Sequence, residues 1–268
     1  MQNLGHSAAT AQVAVVRLED GTRTDAMEPV AEETPITLAY NGVPYAVMMA
    51  SPADLEDFGI GFSVTEGIVP SASAIDRIEV VRYSRGIELQ VETSTAITNA
   101  SSHRRLAGRT GCGICGKDDV EAVLRTLPKV AGDQQFRSGS LNRAMQQLAE
   151  RQPLNAETGA LHAAGWSDVE GTVMLVREDV GRHNALDKLV GALVRTNVDI
   201  NAGFVVITSR GSFELVQKVA MLGAPLLAAV SAPTALAVRV ADDAGITLAG
   251  FVRSGRATIY SHAERVLT

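Results

Sequence analysis

The sequence predicts an α/β protein built from two lobes. From residue 169 to residue 253, apolar strands alternate with amphipathic helices, which is typical of βαβ units around a buried parallel sheet. Before residue 108 the pattern is instead two hairpins and one helix, which indicates a smaller α+β lobe. The two patterns meet at a glycine-rich segment that holds both cysteines. We therefore predict an N-terminal lobe over 1–107, a flexible cysteine loop over 108–117 and a cofactor-binding α/β domain over 118–268.

In the N-terminal lobe, Asn41-Gly42 is a strong two-residue turn signal between alternating apolar residues, and it predicts a hairpin over 35–51. A helix is expected to follow, from about Pro52 to Ile68. The segment 75–93 predicts a second hairpin, which turns near Arg85 and Gly86.

After the cysteine loop, helical spacing predicts helices over 118–128 and 138–152, the second with Ser140 as its N-cap. The regular alternation then begins. Strands are predicted at 169–179, 202–209, 224–232 and 246–253, and helices at 182–196, 212–223 and 233–245. In sheets of this kind, ligands bind beyond the carboxyl ends of the strands.

Polar residues concentrate in the turns that follow these strands, EDVGRHN at 178–184, TSRGS at 208–212 and SAPT at 231–234. Helix N-termini present free N–H groups and the positive end of the helix dipole, so these turns can surround phosphate oxygens. The last predicted strand adds two arginines on a glycine turn. The candidate phosphate ligands are Arg182, His183, Ser209, Arg210, Ser212, Thr234, Arg253 and Arg256.

A simpler interpretation stays open for each of these residues. Ser212 and Thr234 could only cap helices, and the arginines could pair with Glu178, Asp179 or Glu214. Neither a Walker motif nor G-x-G-x-x-G follows a strand, so standard P-loop or Rossmann binding is not indicated.

Charge and apolar content exclude other classes of function. The net charge of -6 argues against broad binding to nucleic acid. The N-terminus lacks the features of a secretory signal, and no apolar run approaches the roughly 20 residues of a membrane span. We expect a cytoplasmic protein with no membrane partner.

The segment RTGCGICGK, residues 109–117, contains Cys112 and Cys115, the two cysteines of the chain. Arginine and lysine residues flank the pair, and nearby cations favour the reactive thiolate. The surrounding glycines permit unusual backbone angles, which is typical of a mobile arm that carries a thiol between sites. The sequence therefore suggests a carrier, in which one cysteine holds a group covalently and releases it elsewhere.

Other interpretations of the pair remain open. A zinc site needs four ligands, and His103 with a distant histidine would have to complete it. A thioredoxin-like dithiol normally follows a strand, and none leads into this segment. A zinc deaminase needs H-x-E ahead of P-C-x-x-C, an order that this chain lacks. An inert buried pair is the last alternative.

The blocks GCGICG, EDVGRHNALDKLVGA, ITSRGSFELVQK, VSAPTALAV and GFVRSGRATIY resemble the FdhD family of formate dehydrogenase accessory proteins. The resemblance runs from about Pro35 to Tyr260. It implies a cytoplasmic sulfurtransferase that takes sulfur from a cysteine desulfurase as a persulfide and passes it to the molybdenum bis(guanine dinucleotide) cofactor, on which formate dehydrogenase depends.

The resemblance also implies a three-layer fold similar to that of cytidine deaminases, with helices on both faces of the sheet, and a homodimer. The persulfide residue of the family maps onto Cys112, whereas the role of Cys115 stays open. GDP is expected to mimic part of the cofactor. The cofactor-binding segment of the family maps onto Phe251, Val252, Arg253, Ser254, Gly255 and Arg256.

Overall fold

The computed structural model describes residues 9–95, 97, 126–130, 132–196 and 198–268. The cysteine loop lies outside the described residues, as does most of the helix predicted over 118–128. Every helix within the described ranges is too short or too polar to cross a membrane.

The strands alternate with helices mainly in the second half of the chain. The strands are β1 (Thr10–Glu19), β2 (Thr22–Ala31), β3 (Thr34–Tyr40), β4 (Val43–Ala50), β5 (Ile75–Tyr83), β6 (Gly86–Thr93), β7 (Phe136–Arg137), β8 (His162–Asp168), β9 (Val173–Asp179), β10 (Gly203–Ile207), β11 (Leu226–Ala229), β12 (Thr247–Arg253), β13 (Arg256–Ser261) and β14 (Val266–Leu267). The α-helices are α1 (Leu55–Thr65), α2 (Ser138–Glu150), α3 (Pro153–Thr158), α4 (Arg182–Arg195), α5 (Phe213–Leu222) and α6 (Ala235–Ala244).

The N-terminal lobe contains both predicted hairpins. Its four-stranded sheet has the order β4-β3-β6-β5, and Asn41 and Gly42 form the β3–β4 turn with φ angles of 49° and 79°. Helix α1 covers one face of this sheet and contributes Phe58 and Phe62 to the core of the lobe. The expected α+β lobe is therefore confirmed.

The second half of the chain folds around a six-stranded sheet with the order β13-β12-β11-β10-β8-β9. Strands β10, β11 and β12 are parallel, as predicted, whereas β8, β9 and β13 join them through antiparallel pairs. The sheet is thus mixed and not wholly parallel. Helices α4, α5 and α6 cover one face and α2 covers the other, which confirms an α/β fold with helices on both faces.

Strand β10 shows why both faces of the six-stranded sheet are apolar. Val205 and Ile207 of β10 pack under α4 and α5, whereas Phe204 and Val206 pack against α2. Successive side chains of a strand point to opposite faces, so a sheet buried on both faces needs continuous apolar strands.

The two lobes meet where α1 crosses α4. An added Cβ at Gly61 would lie 1.7 Å from the Asp187 carbonyl oxygen, and one at Gly191 would lie 1.9 Å from the Asp57 carbonyl oxygen. Only glycine permits two helix backbones to approach this closely. The contact fixes the N-terminal lobe against the helix that begins at the EDVGRHN turn.

Two local predictions were wrong. Ser140 does not cap α2, because the helix begins at Ser138 and Ser140 is buried within its first turn. The strand predicted at 246–253 is not the last one, because the chain reverses at Ser254 and Gly255 and returns as β13.

Candidate functional site

Four strands of the large sheet end at the same edge. Strand β9 runs antiparallel to β8, which runs antiparallel to β10, so β9, β10, β11 and β12 all point in one direction. The turns after them form what we call the rim, comprising residues 179–184, 208–212, 231–234 and 250–256. Four spacings of about 4.8 Å separate β9 from β12, so the rim is about 19 Å long.

Backbone hydrogen bonds join neighbouring turns of the rim. The Thr234 N–H donates to the Gly211 carbonyl at 3.1 Å, and the Phe251 N–H donates to the Ser231 carbonyl at 3.2 Å. A Cβ at Gly250 would lie 2.8 Å from Pro233 Cδ, so the third turn packs directly on β12. The prediction that these turns line one edge is confirmed.

The β12–β13 hairpin exposes the arginines at one end of the rim. Ser254 and Gly255 form its tip with φ angles of 51° and 75°, and Arg253 pairs with Arg256 across the strands. The side chains of 253–256 are exposed, whereas Val252 is buried in the core. Within the segment taken from the family resemblance, Val252 is therefore a core residue, and the exposed positions are those of the tip.

Phe251 has an unusual backbone conformation for a bulky residue. Its φ angle is 53°, in the left-handed region that costs a non-glycine residue about 1–2 kcal/mol. The half-buried ring lies 5.9 Å from the guanidinium carbon of Arg253. Strained residues of this kind cluster at ligand sites, where surrounding contacts hold them in place.

The middle of the rim presents one exposed cation and several hydroxyl groups. Arg210 is exposed, and the buried Ser209 donates its hydroxyl to the Arg210 carbonyl at 3.2 Å. Thr234 caps α6 by accepting the Ala237 N–H at 3.2 Å, as the simpler interpretation predicted. Ser212 occupies the N-cap position of α5 but makes no side-chain capping bond, and its Oγ is buried without a hydrogen-bond partner among the described residues.

At the far end of the rim, Asp179 fixes the turn before α4. Its Oδ1 accepts the Gly181 N–H at 2.7 Å and the Asn184 amide at 3.0 Å, while its Oδ2 accepts the Ser51 N–H at 3.0 Å. Lys188 Nζ completes the set, 2.7 Å from Oδ2, and both charged side chains are fully buried. The carboxylate therefore ties the N-terminal lobe to the rim.

Glu178 also has a structural role in this motif. Its two carboxylate oxygens accept the N–H groups of Leu154 and Asn155 at 3.1 and 2.8 Å. The simpler interpretation paired Glu178 and Asp179 with rim arginines. The hydrogen bonds described here join both carboxylates to other partners.

In the EDVGRHN turn, the buried residue His183 has a polar atom without a hydrogen-bond partner among the described residues. It is 8% exposed, and its Nε2 has no hydrogen-bond partner within the described part of the chain. Burial, together with the nearby charges of Arg182 and Lys218, lowers the pKa of His183 to about 3. A neutral imidazole with an unsatisfied nitrogen at a helix N-terminus is suited to hydrogen-bond a ligand.

Sequence reasoning missed His162 as a rim residue. It begins β8 opposite Asp179, at the same edge as the strand ends. Burial and the Arg182 charge lower its pKa, against the opposing effect of Asp179. The strand that places it was not predicted either, because HAAGWSD lacks β-branched residues.

A buried ion cluster supports the rim from below. Lys218 Nζ of α5 lies 2.9 Å from Asp187 Oδ1 and 3.0 Å from Glu66 Oε1, and Thr65 donates its hydroxyl to Asp187 at 2.5 Å. Burial raises the pKa of Asp187 to about 6, while Lys218 and Thr65 oppose that shift. Asp187 thus serves the packing of α1, α4 and α5.

The two cysteines, Cys112 and Cys115, lie outside the described residues, so the structure places neither thiol relative to the rim. Within the described ranges, no group of three histidine, cysteine, aspartate or glutamate side chains is arranged to hold a metal ion.

Comparisons with known proteins show the family of the chain. The sequence model of the FdhD/NarQ family matches residues 31–267. Over 257 residues the chain is 50% identical to the sulfur carrier protein FdhD of Xanthomonas axonopodis pv. citri (strain 306), covering 95% of this chain and 92% of that protein. Over 255 residues it is 52% identical to the sulfur carrier protein FdhD of Cupriavidus necator, covering 94% and 88%.

The fold is also found in a solved structure. A crystal structure described as that of a formate dehydrogenase accessory protein from Desulfotalea psychrophila matches with a TM-score of 0.79 and 25% identity, covering 97% of this chain and 100% of that chain. The sequence blocks, the fold and the extent of these matches lead to one conclusion: the chain belongs to the FdhD/NarQ family.

Proposed function

We propose that this chain is a sulfur carrier that serves the maturation of formate dehydrogenase. Relatives at about half identity over nearly the whole chain bear the name sulfur carrier protein, and the matching crystal structure is described as a formate dehydrogenase accessory protein. The observation that carries the proposal is the hairpin at 251–256, where a strained Phe251 and two exposed arginines end a polar rim.

Cys112 is the proposed acceptor of sulfur. Its thiolate attacks the terminal sulfur of a persulfide on a cysteine desulfurase, the sulfur–sulfur bond of that persulfide breaks, and the desulfurase cysteine leaves as a thiolate. The product is a persulfide on Cys112, so the number of electrons and sulfur atoms is unchanged. The chain thereby acts as a sulfurtransferase, with Cys115 in the same loop available to shape or share the adduct.

The rim is the proposed site of delivery, where the substrate is the molybdenum bis(guanine dinucleotide) cofactor. Its pyrophosphates are anions, and the exposed Arg210, Arg253 and Arg256 supply positive charge at one edge of an acidic protein. The N-termini of α4, α5 and α6 add N–H donors at the same edge. GDP carries the same base and a pyrophosphate, so it should bind as a mimic.

The orphaned polar atoms of the rim fit such a ligand. His183 Nε2 and Ser212 Oγ are buried and have no partner in the described structure, which is costly unless a ligand or water satisfies them. A dinucleotide offers phosphate, ribose and base groups over a length comparable with the rim. The cytoplasm, where a cysteine desulfurase and unassembled dehydrogenase are both available, is the proposed place of action, and a homodimer is the proposed assembly.

The test is complementation in cells that lack their own copy of the carrier. Cells that express Cys112→Ala should contain the folded protein but no formate dehydrogenase activity. Arg77→Ala, an exposed change on the N-terminal lobe, is the control and should restore activity fully. Full activity with Cys112→Ala would contradict the proposed transfer.

A further inference from the structure

The first two strands form a ribbon that extends away from the rest of the chain. Strands β1 and β2 pair over ten residues each and are joined by Asp20 and Gly21, which have φ angles of 48° and 80°. Near its base, β2 packs against α3. Every residue from 16 to 25 is exposed, so the outer half of the ribbon has no cover within the described structure.

One face of the ribbon carries exposed apolar side chains, most of them from β1. Residues that pair across antiparallel strands lie on the same face, and on this face Ala14 pairs with Met27, Val16 with Asp25 and Leu18 with Arg23. Val16 is 45% exposed, Leu18 76% and Met27 59%. An isolated two-stranded ribbon is marginally stable in water, so a ribbon of this length is expected to gain a further strand.

The two edges of the ribbon differ in their capacity to accept another strand. In a two-residue hairpin the residues that flank the turn, Glu19 and Thr22, share hydrogen bonds, and bonded pairs then alternate along the ladder. Pro29 therefore falls at a position whose backbone faces outward. It leaves the ladder intact and removes a donor from the free edge of β2, a common way to prevent strand addition.

The edge of β1 has no such protection. Its outward-facing residues are Gln12, Ala14, Val16 and Leu18, and the strand contains neither proline nor glycine. Among elements in the described ranges, β1 makes extensive contact with β2 alone. A long apolar edge with its N–H and C=O groups unprotected is a template for pairing with another strand.

We infer that two copies of this chain associate through their β1 edges, which pair antiparallel about a two-fold axis to make a four-stranded sheet. With the axis at Val15, Ala14 of one copy exchanges two hydrogen bonds with Val16 of the other, and Gln12 faces Leu18. A two-fold contact must be self-complementary. Strand β1 meets this condition, since in this register Arg17 faces Val13 and Glu19 faces Ala11, so like charges do not oppose each other, and the centre is apolar.

This inference gives the proposed homodimer a specific interface, and it does not depend on sulfur transfer. The free edge of β1 and the exposed apolar side chains along it together select a second copy as the occupant, since the same strand supplies both halves of the contact. The blocked edge of β2 limits growth, so pairing stops at two copies and does not continue into a longer sheet.

The test compares two proline substitutions at one level of the ribbon. Val16→Pro removes the outward N–H from the β1 edge, whereas Asp25→Pro, at the residue paired with Val16, removes it from the β2 edge. Light scattering of the full chain should give twice 28.2 kDa for the wild type and for Asp25→Pro. Val16→Pro should raise the dissociation constant about thirtyfold, because two hydrogen bonds are lost per dimer.

A monomeric wild type, an unchanged Val16→Pro dimer, or equal loss in both variants would overturn the inference. Hydrogen exchange on the wild type covers the case in which Val16→Pro fails to fold. The outward amides of Ala14, Val16 and Leu18 should gain protection as protein concentration rises, and those of Arg23, Asp25 and Met27 should not. Protection that is independent of concentration at both edges would also exclude this interface.

Discussion

Lys218 and Asp187 form a buried ion pair directly beneath the rim, with Nζ 2.9 Å from Oδ1 and 3.0 Å from Oδ2. They belong to α5 and α4, and Glu66 at the end of α1 joins them through a 3.0 Å contact with the same Nζ. The pair therefore holds three helices together at the end that carries rim residues.

Replacing Lys218 by Met should destabilise the fold strongly. The change leaves the carboxylates of Asp187 and Glu66 without their shared cation, and breaking a buried ion pair costs about 3–5 kcal/mol. Urea unfolding measures the free energy of unfolding. Lys129→Met, at an exposed lysine whose Nζ donates to the Asp243 carbonyl, is the control and should change the free energy of unfolding far less. Equal effects of the two substitutions would show that the buried cluster contributes no stability.

The neutral state of His183 should make folding sensitive to acid. Its pKa is lowered from 6.5 to about 3 in the folded chain, so below pH 6.5 the unfolded chain binds a proton that the folded chain cannot. Stability from this residue is therefore present above pH 6.5 and is lost as the pH falls. Between pH 7 and pH 5 the loss is about 2 kcal/mol.

His183→Gln removes this proton linkage, so the free energy of unfolding of the variant should fall less than that of the wild type between pH 7 and pH 5. Urea unfolding at several pH values measures the difference. Parallel pH profiles for the two proteins would mean that His183 titrates normally in the fold.

The positive φ of Phe251 predicts an unusual order of stability among small substitutions. Phe251→Gly and Phe251→Ala both lose the ring, but only glycine relieves a strain of about 1–2 kcal/mol. We therefore expect the glycine variant to be the more stable by about that amount in thermal or urea unfolding. At Phe213, the first residue of α5, the order should reverse, because glycine is unfavourable in a helix. The same order at both positions would exclude strain at Phe251.

Short sequence patterns explain which parts of the fold could be predicted. Asn41-Gly42 permits few conformations other than a tight turn, and the alternation after residue 169 identified α4, α5, α6 and the parallel strands. The ribbon was not predicted, although Asp20-Gly21 between alternating apolar residues is the same kind of signal. Strand β13 was missed because its start was interpreted only as a turn.

Long-range contacts explain what could not be predicted at the site. The common direction of the predicted parallel strands was sufficient to place Arg210, Thr234 and the 251–256 segment at one edge of the sheet. Lys218 meets Glu66 across 152 residues, and no pattern in the sequence marks that pair. Only burial and distance show that His183 Nε2 lacks a hydrogen-bond partner among the described residues, while Asp179 and Lys188 satisfy each other.

Loading and delivery of sulfur should fail independently if the rim and the cysteine loop are separate parts of one carrier. Arg256→Ala removes an exposed arginine at the end of the rim, and loss of one charge-assisted hydrogen bond should weaken GDP binding about tenfold to hundredfold. Sulfur loading on Cys112 should be unaffected, while activation of formate dehydrogenase falls.

Calorimetry with GDP and guanosine measures the binding, and GDP should bind more tightly than guanosine, increasingly so at low salt. Arg77→Ala again provides the control, as an exposed arginine far from the rim in sequence and on the N-terminal lobe. If Arg256→Ala binds GDP as the wild type does, or loses sulfur loading as well, the rim is not the delivery site.

The most direct test of the sulfur carrier is the intact mass of the protein after incubation with a cysteine desulfurase and cysteine. We predict a gain of one sulfur atom in the wild type, removal of that atom by a thiol reductant, and no gain in Cys112→Ala. No added sulfur on the wild type, or zinc bound to the untreated protein at the two cysteines, would contradict it.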